Sequence, residues 1–301
     1  MDSAIETHGL TKRYADIAAV DGLTLSLPRG GVIGFVGPNG AGKTTTIRML
    51  MGLVRPTSGE GFVLGKPITH PRAYLSKVGA LIESPAFVPQ LSGRRNLHVL
   101  ALLGGHDVKR VDPILEQVGL GPRGEDPYHS YSLGMKQRLG IGAALLPDPD
   151  LFVLDEPTNG LDPAGIREVR SLLRSLGDAG KTVFVSSHLL AEVQRMCDQL
   201  VILRKGKLIF QGTVEDLLAK QVGLVATPED PAQHDALVRL CEDAGHHAED
   251  QHGSVLVHAP ASWAATLNQK AMSAGIVLRE LRPQAGDLEE TVLNMTGRGT
   301  L

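Results

Sequence analysis

Cysteine is almost missing from this chain. Cys197 and Cys241 are the only two, far apart and in no Cys-x-x-Cys spacing, so there is neither a disulfide framework nor a cysteine zinc site, and a reducing compartment fits. Both read as ordinary packed thiols. Net charge is equally scant: at -3 the chain has no global attraction for a phosphate backbone, and no local basic patch stands out, so nucleic acid is not an expected partner. Long hydrophobic runs are missing too. Nowhere do about 18 apolar residues follow one another, which excludes a transmembrane helix in this sequence. The amino-terminal stretch MDSAIETHGLTKRY carries acidic residues without an apolar segment and does not read as a secretory signal. Any membrane role must be borrowed from a partner. No repeat of fixed period is present, and Gly and Pro together stay short of the roughly 25–30% that marks low-complexity chains.

What the sequence does contain is strands alternating with helices. Val32-Ile33-Gly34-Phe35-Val36 is a short apolar run that breaks into glycines and resumes as a helical pattern from Thr45 to Met51. Leu151–Leu154 and Thr182–Ser186 are two more runs of the buried parallel kind, separated by a helix with Ile166, Val169, Leu172 and Leu173 on one face. Leu23–Leu27 alternates with period two, and Val201–Leu203 and Leu208–Phe210 flank Arg204-Lys205-Gly206-Lys207 as a hairpin. Helical patterns fall at about 93–104, 110–118 and 132–146, with no convincing strand between Glu83 and Asp150. The expected fold is α/β: a P-loop NTPase core with a parallel sheet, an antiparallel β edge subdomain and an inserted helical lobe at about 84–150, all within residues 1–220. Residues 221–301 read as a small α+β domain of βαββαβ order.

Gly37-Pro38-Asn39-Gly40-Ala41-Gly42-Lys43-Thr44 fits G-x-x-x-x-G-K-[ST], with a strand before it and a helix opening at Thr45. Glycines let the backbone wrap so that successive N–H groups point inward, and the helix adds its positive end, which together make an anion cradle. Lys43 is expected to reach the β- and γ-phosphates and Thr44 to ligate Mg²⁺. Leu151–Leu154 delivers Asp155-Glu156 to the carboxyl end of a strand, where α/β sheets bind ligands. Asp155 can hold the metal and Glu156 can act as general base toward water; alone, the two acids could equally cap a helix. No Asn-Lys-x-Asp guanine-reading motif occurs, so ATP is favoured over GTP.

Tyr131-Ser132-Leu133-Gly134-Met135-Lys136-Gln137-Arg138, a short way before Asp155, resembles the signature of ABC transporter nucleotide-binding domains, and the resemblance covers about 5–220. Locally Ser132 could be merely a helix N-cap; the ordered ensemble of phosphate loop, signature, acidic pair and switch carries the likeness. The resemblance implies that Ser132 and Gly134 of one subunit cover the γ-phosphate held by a second copy, giving a head-to-tail dimer around two ATP molecules. Leu133 and Met135 depart from the usual Leu-Ser-Gly-Gly-Gln. Asp162, in Pro157-Thr158-Asn159-Gly160-Leu161-Asp162, corresponds to the loop that couples the two sites. His188, after Ser186-Ser187, corresponds to the switch histidine that contacts the γ-phosphate and holds Glu156. Glu83 stands where the family often has glutamine and would reach the metal, or is a plain surface glutamate. Tyr14, before the first strand, corresponds to the adenine-stacking aromatic, and Val20 to an apolar residue against the nucleotide; both could instead be packing residues. Phe87–Asn96 matches the segment that meets the membrane subunit.

The carboxyl-terminal residues resemble the accessory domain of drug- and lipid-export ATPases, with Asp287-Leu288-Glu289-Glu290-Thr291-Val292 as its closing helix. His246, His247, His252 and His258 lack the tight spacing of a metal set and read as a solvated cluster. The resemblance thus implies an ATP-hydrolysing, Mg²⁺-dependent subunit at the cytoplasmic face of the membrane, powering export through a separately encoded integral-membrane permease. An ABC-type ATPase working on nucleic acid or ribosomes remains the alternative.

Overall fold

The computed structural model of the 301-residue chain describes residues 3–82, 87–219, 223–251 and 253–284. The chain separates into two compact units, divided between Gly212 and Thr213 rather than after Lys220, because a short helix ahead of Lys220 belongs with the second unit.

In chain order the first unit comprises β1 (Ser3–Tyr14), β2 (Ile17–Pro28), β3 (Gly31–Val36), α1 (Lys43–Leu50), β4 (Ser58–Val63), β5 (Lys66–Pro67), β6 (Val78–Leu81), α2 (Gly93–Gly104), α3 (Val111–Gln117), α4 (Leu133–Leu145), β7 (Leu151–Leu154), α5 (Pro163–Asp178), β8 (Thr182–Ser187), α6 (Leu190–Met196), β9 (Gln199–Arg204) and β10 (Lys207–Thr213). One sheet has the order β10-β9-β3-β8-β7-β6, and a smaller one has the order β2-β1-β4-β5. β3 pairs in parallel with β8 and β9, and β7 with β6 and β8. Every residue of β7 and β8 is buried, which is why these strands read as unbroken apolar runs rather than alternating ones: both faces are covered. Phe35 and Phe184 pack with ring centroids 4.9 Å apart beside Ile33, Ile47, Leu50 and Val153.

Short polar caps define where the helices start. Ser92 accepts from the Arg95 N–H at α2, Ser132 from Met135 at α4, and Asp162 from Gly165 at α5, each satisfying a donor that has no partner within its helix. α5 buries Val169, Leu172 and Leu173 as expected, together with Leu176. The hairpin between β9 and β10 turns on Lys205 and Gly206, both at positive φ, the requirement of a two-residue type I′ turn. β6 has no counterpart in the sequence reading. At its Gly79 a Cβ would lie 2.1 Å from the Ala144 carbonyl oxygen, so the missing side chain is what lets α4 lie against the sheet.

The second unit runs α7 (Val214–Ala219), β11 (Gly223–Pro228), α8 (His234–Asp243), β12 (Ala248–Gln251), β13 (Ser254–Val257), α9 (Ala264–Ser273) and β14 (Leu278–Gln284). From β11 onward this is βαββαβ, with the antiparallel order β12-β13-β11-β14. Leu224, Leu237, Cys241, Val255, Val257 and Leu267 form its core. Burial pushes the Cys241 thiol up to about 11 and that of Cys197, in the first unit, higher still, so neither carries thiolate reactivity near neutral pH. The closing helix expected around Asp287–Val292 lies outside the described residues.

Candidate active site

Parallel pairing brings the carboxyl ends of β3, β7 and β8 to one edge of the sheet, and the chemistry-bearing residues follow directly after each. The loop after β3 is held by close backbone approaches. A Cβ on Gly37 would stand 2.3 Å from the Leu203 carbonyl oxygen, and one on Gly42, at φ 103°, would stand 2.3 Å from that of Ala19. Only glycine fits at either position. Residues 39–45, Ala19 and Glu156 line a cavity of about 260 Å³ at the start of α1.

Lys43 is buried and turned back on its own loop. Its Nζ donates to the Gly37 carbonyl at 2.6 Å and to that of Pro38 at 3.4 Å, and lies 3.3 Å from Glu156 Oε1. The other Glu156 oxygen, Oε2, lies 2.8 Å from His188 Nδ1. Glu156 itself holds a left-handed backbone at φ 50°, a conformation that a residue with a Cβ keeps only when its surroundings enforce it, at about 1–3 kcal/mol. Beside it, Asp155 is buried and its Oδ2 accepts the Thr44 hydroxyl at 2.7 Å. A buried carboxylate and a hydroxyl converging in this way are hard oxygen donors of the kind Mg²⁺ takes, so the residues present fit such an ion. Glu83 lies outside the described residues. The Ser186 hydroxyl bonds to both Asp155 and the Glu156 N–H, a role that sequence reasoning missed.

Two expectations about the adenine side need correcting. Tyr14 does not precede the first strand but ends β1, 47% exposed, with Lys12 Nζ 5.0 Å above its ring. Val20 has no exposed surface at all and belongs to the core. Side chains alternate along a strand, so it is the neighbouring Ala19 that lines the cavity.

Ser132, Gly134 and Asp162 are not among the residues lining that cavity. Ser132 and Leu133 are exposed at the start of α4, and a Cβ on Gly134 would meet nothing closer than 3.9 Å, so this helix end is open to approach. Leu133 lies against Gly160: a Cβ there would meet Leu133 Cδ2 at 3.0 Å. In the second unit, the rings of His247 and His258 stack at 5.5 Å, each with Nε2 3.3 Å from Glu249 Oε1, and His246 packs on Trp263. His252 lies outside the described residues. Among the described residues no group of three or more His, Cys, Asp or Glu is placed to hold a metal ion, and no helix is long and apolar enough to cross a membrane.

This arrangement has relatives. The ABC transporter family profile matches residues 20–159. The bacitracin transport ATP-binding protein BcrA of Bacillus licheniformis is 37% identical over 306 aligned positions, covering 100% of both chains. The lantibiotic transport ATP-binding protein SrtF of Streptococcus pyogenes is 39% identical over 69% of this chain and 90% of its own. Among solved structures, cbiO1 from Clostridium perfringens, part of the ABC transporter complex cbiONQ, matches with a TM-score of 0.66 at 27% identity, over 73% of this chain and 92% of that one. Similarity along the whole length, added to a nucleotide cradle with an acid pair at its mouth, makes the chain a member of the ABC transporter family, the ATP-binding subunit whose ATPase activity powers transport.

Proposed function

We propose that this subunit drives export of a drug-like or lipid-like molecule through a separately encoded integral-membrane permease, docked at the cytoplasmic face, and that two copies close head to tail around two ATP molecules. One observation carries the dimer: the cavity formed by residues 39–45 and Glu156 lacks Ser132 and Gly134, which stand at the start of α4, Ser132 exposed and Gly134 half-buried. A helix N-terminus with free donors is an anion site in waiting, and a second copy can bring it over the γ-phosphate. Asp162, exposed at the start of α5, then lies in the loop that joins the two sites. Full-length similarity to a bacitracin transport ATP-binding protein supports the transport of such cargo.

Within one site, the loop N–H groups and Lys43 take the β- and γ-phosphates, Tyr14 stacks on the adenine, and Ala19 lies against the nucleotide. Thr44 and Asp155 would hold Mg²⁺, with Glu83 as a further ligand, and the ion would supply charge neutralisation at the phosphate oxygens. Lys43 is shared between its own loop and Glu156. Phosphate draws Lys43 away and frees one carboxylate oxygen of Glu156 to take a proton from the attacking water. His188 keeps the other oxygen and so fixes the direction of the base. As Glu156 takes the proton, the water oxygen bonds to the γ-phosphorus and the bond to ADP breaks; the phosphate under the second copy's helix end is then no longer tied to the nucleotide, and as it leaves the closed pair opens.

A tagged chain isolated from gently solubilised membranes is expected to carry with it a polytopic membrane protein and to hydrolyse ATP faster in that complex. Recovery free of any membrane protein would overturn the permease assignment.

A further inference from the structure

Ser186 is fully buried at the end of β8. Leu154 of β7 faces Val185 in the parallel register, so the next residue, Ser186, stands beside Asp155 where β7 ends. Its hydroxyl donates to Asp155 Oδ1 and accepts the Glu156 N–H at 2.9 Å. A serine hydroxyl has one proton to give, and here it is committed to one acid while a lone pair holds the peptide of the next. Two consequences follow from the geometry. Asp155, gripped at Oδ1 by Ser186 and at Oδ2 by Thr44, cannot rotate. Glu156, at φ 50°, is tethered at the N–H whose orientation sets where its side chain departs. The adjacent Ser187 does something else: its Oγ accepts from the Leu189 N–H at 3.0 Å, as strand alternation requires of neighbouring side chains.

We propose that Ser186 is a positioning residue for hydrolysis, its one hydroxyl aligning the metal-holding acid and the base together. This rests on the assignment of Glu156 as general base. The Ser186 hydroxyl hydrogen-bonds to the two acids and not to Lys43 or the glycine cradle, so removing it should disturb the chemical step far more than phosphate binding.

The test compares Ser186→Ala, Ser186→Thr and Glu156→Gln by steady-state ATP hydrolysis, by ADP binding without Mg²⁺, and by thermal melting. Misaligning the metal-holding acid and the base predicts that Ser186→Ala lowers kcat by about 10–100-fold. KM for ATP and metal-free ADP affinity should change less than about threefold, and Ser186→Thr, which restores a hydroxyl, should recover most of kcat. The proposal is overturned if Ser186→Ala turns over at the wild-type rate, if Thr is as impaired as Ala, or if ADP binding and melting temperature fall in step with kcat, which would mark a purely structural role. An unimpaired Glu156→Gln would sink the base assignment itself. An impaired Glu156→Gln beside a wild-type Ser186→Ala would sink Ser186 alone.

Discussion

Replacing Glu156 with glutamine should separate two properties that the geometry ties to one carboxylate. Oε1 lies 3.3 Å from Lys43 Nζ and Oε2 lies 2.8 Å from His188 Nδ1. A carboxamide has one oxygen and one NH₂, so it can accept from only one of these partners and presents a donor to the other. Loss of the proton acceptor removes general-base catalysis, about 10²–10⁴-fold in turnover, equivalent to about 3–5 kcal/mol of barrier. Nucleotide binding should move the opposite way. At 3.3 Å the gross Coulomb attraction between Lys43 and Glu156 is about 5 kcal/mol at an effective dielectric of 20, and most of it offsets the cost of desolvating the two ions. A remainder of about 1.4 kcal/mol corresponds to tenfold in an equilibrium constant. Phosphate no longer has to compete with Glu156 for Lys43, so ADP should bind about tenfold tighter. Phosphate-release kinetics and calorimetric ADP titration without Mg²⁺ read the two effects separately. Wild-type turnover would refute the base; weaker ADP binding would refute the competition between carboxylate and phosphate for Lys43.

Gly42→Ala places a Cβ within 2.3 Å of the Ala19 carbonyl at a left-handed backbone and should abolish nucleotide binding by titration, whereas Gly180→Ala, at φ 83° with open space around it, should lower unfolding free energy by only about 1–2 kcal/mol and leave binding intact. Tyr14→Ala should weaken ATP binding by about 1–3 kcal/mol while Tyr14→Phe binds as wild type, and unchanged affinity in the alanine variant would remove the stacking role.

The phosphate loop was legible because its whole function is written in contiguous residues, 37–44, whose glycines and lysine have no other reason to sit between a strand and a helix. Asp155, Glu156 and His188 were legible for a related reason: each follows an apolar run, and parallel strands deliver their carboxyl ends to one edge. The misses also share a cause. Val20 and Ala19 differ by one position in a strand, and the inward face is set by the pairing partner, which the sequence does not name. β6 is four residues long with Gly79 inside it, too short and too glycine-broken to signal a strand. Strand β1, paired with β2 on one side and β4 on the other, is interrupted by register shifts against β2, so its period-two alternation is blurred. Ser186 and Ser187 are identical in sequence terms, and only the side of β8 each faces distinguishes a tether of two acids from a cap on the following turn. The signature was legible as a motif, yet in the proposed dimer its chemistry would be completed by a second chain, and Ser132 is not among the residues lining the cavity of its own copy.

If the site is divided between two copies as proposed, the mass of the Glu156→Gln chain in solution must report it. Sedimentation or light scattering with Mg²⁺ and ATP should give twice the 32.0 kDa of the single chain, reverting to one copy with ADP. A chain that binds ATP stoichiometrically and stays at 32.0 kDa would contradict it.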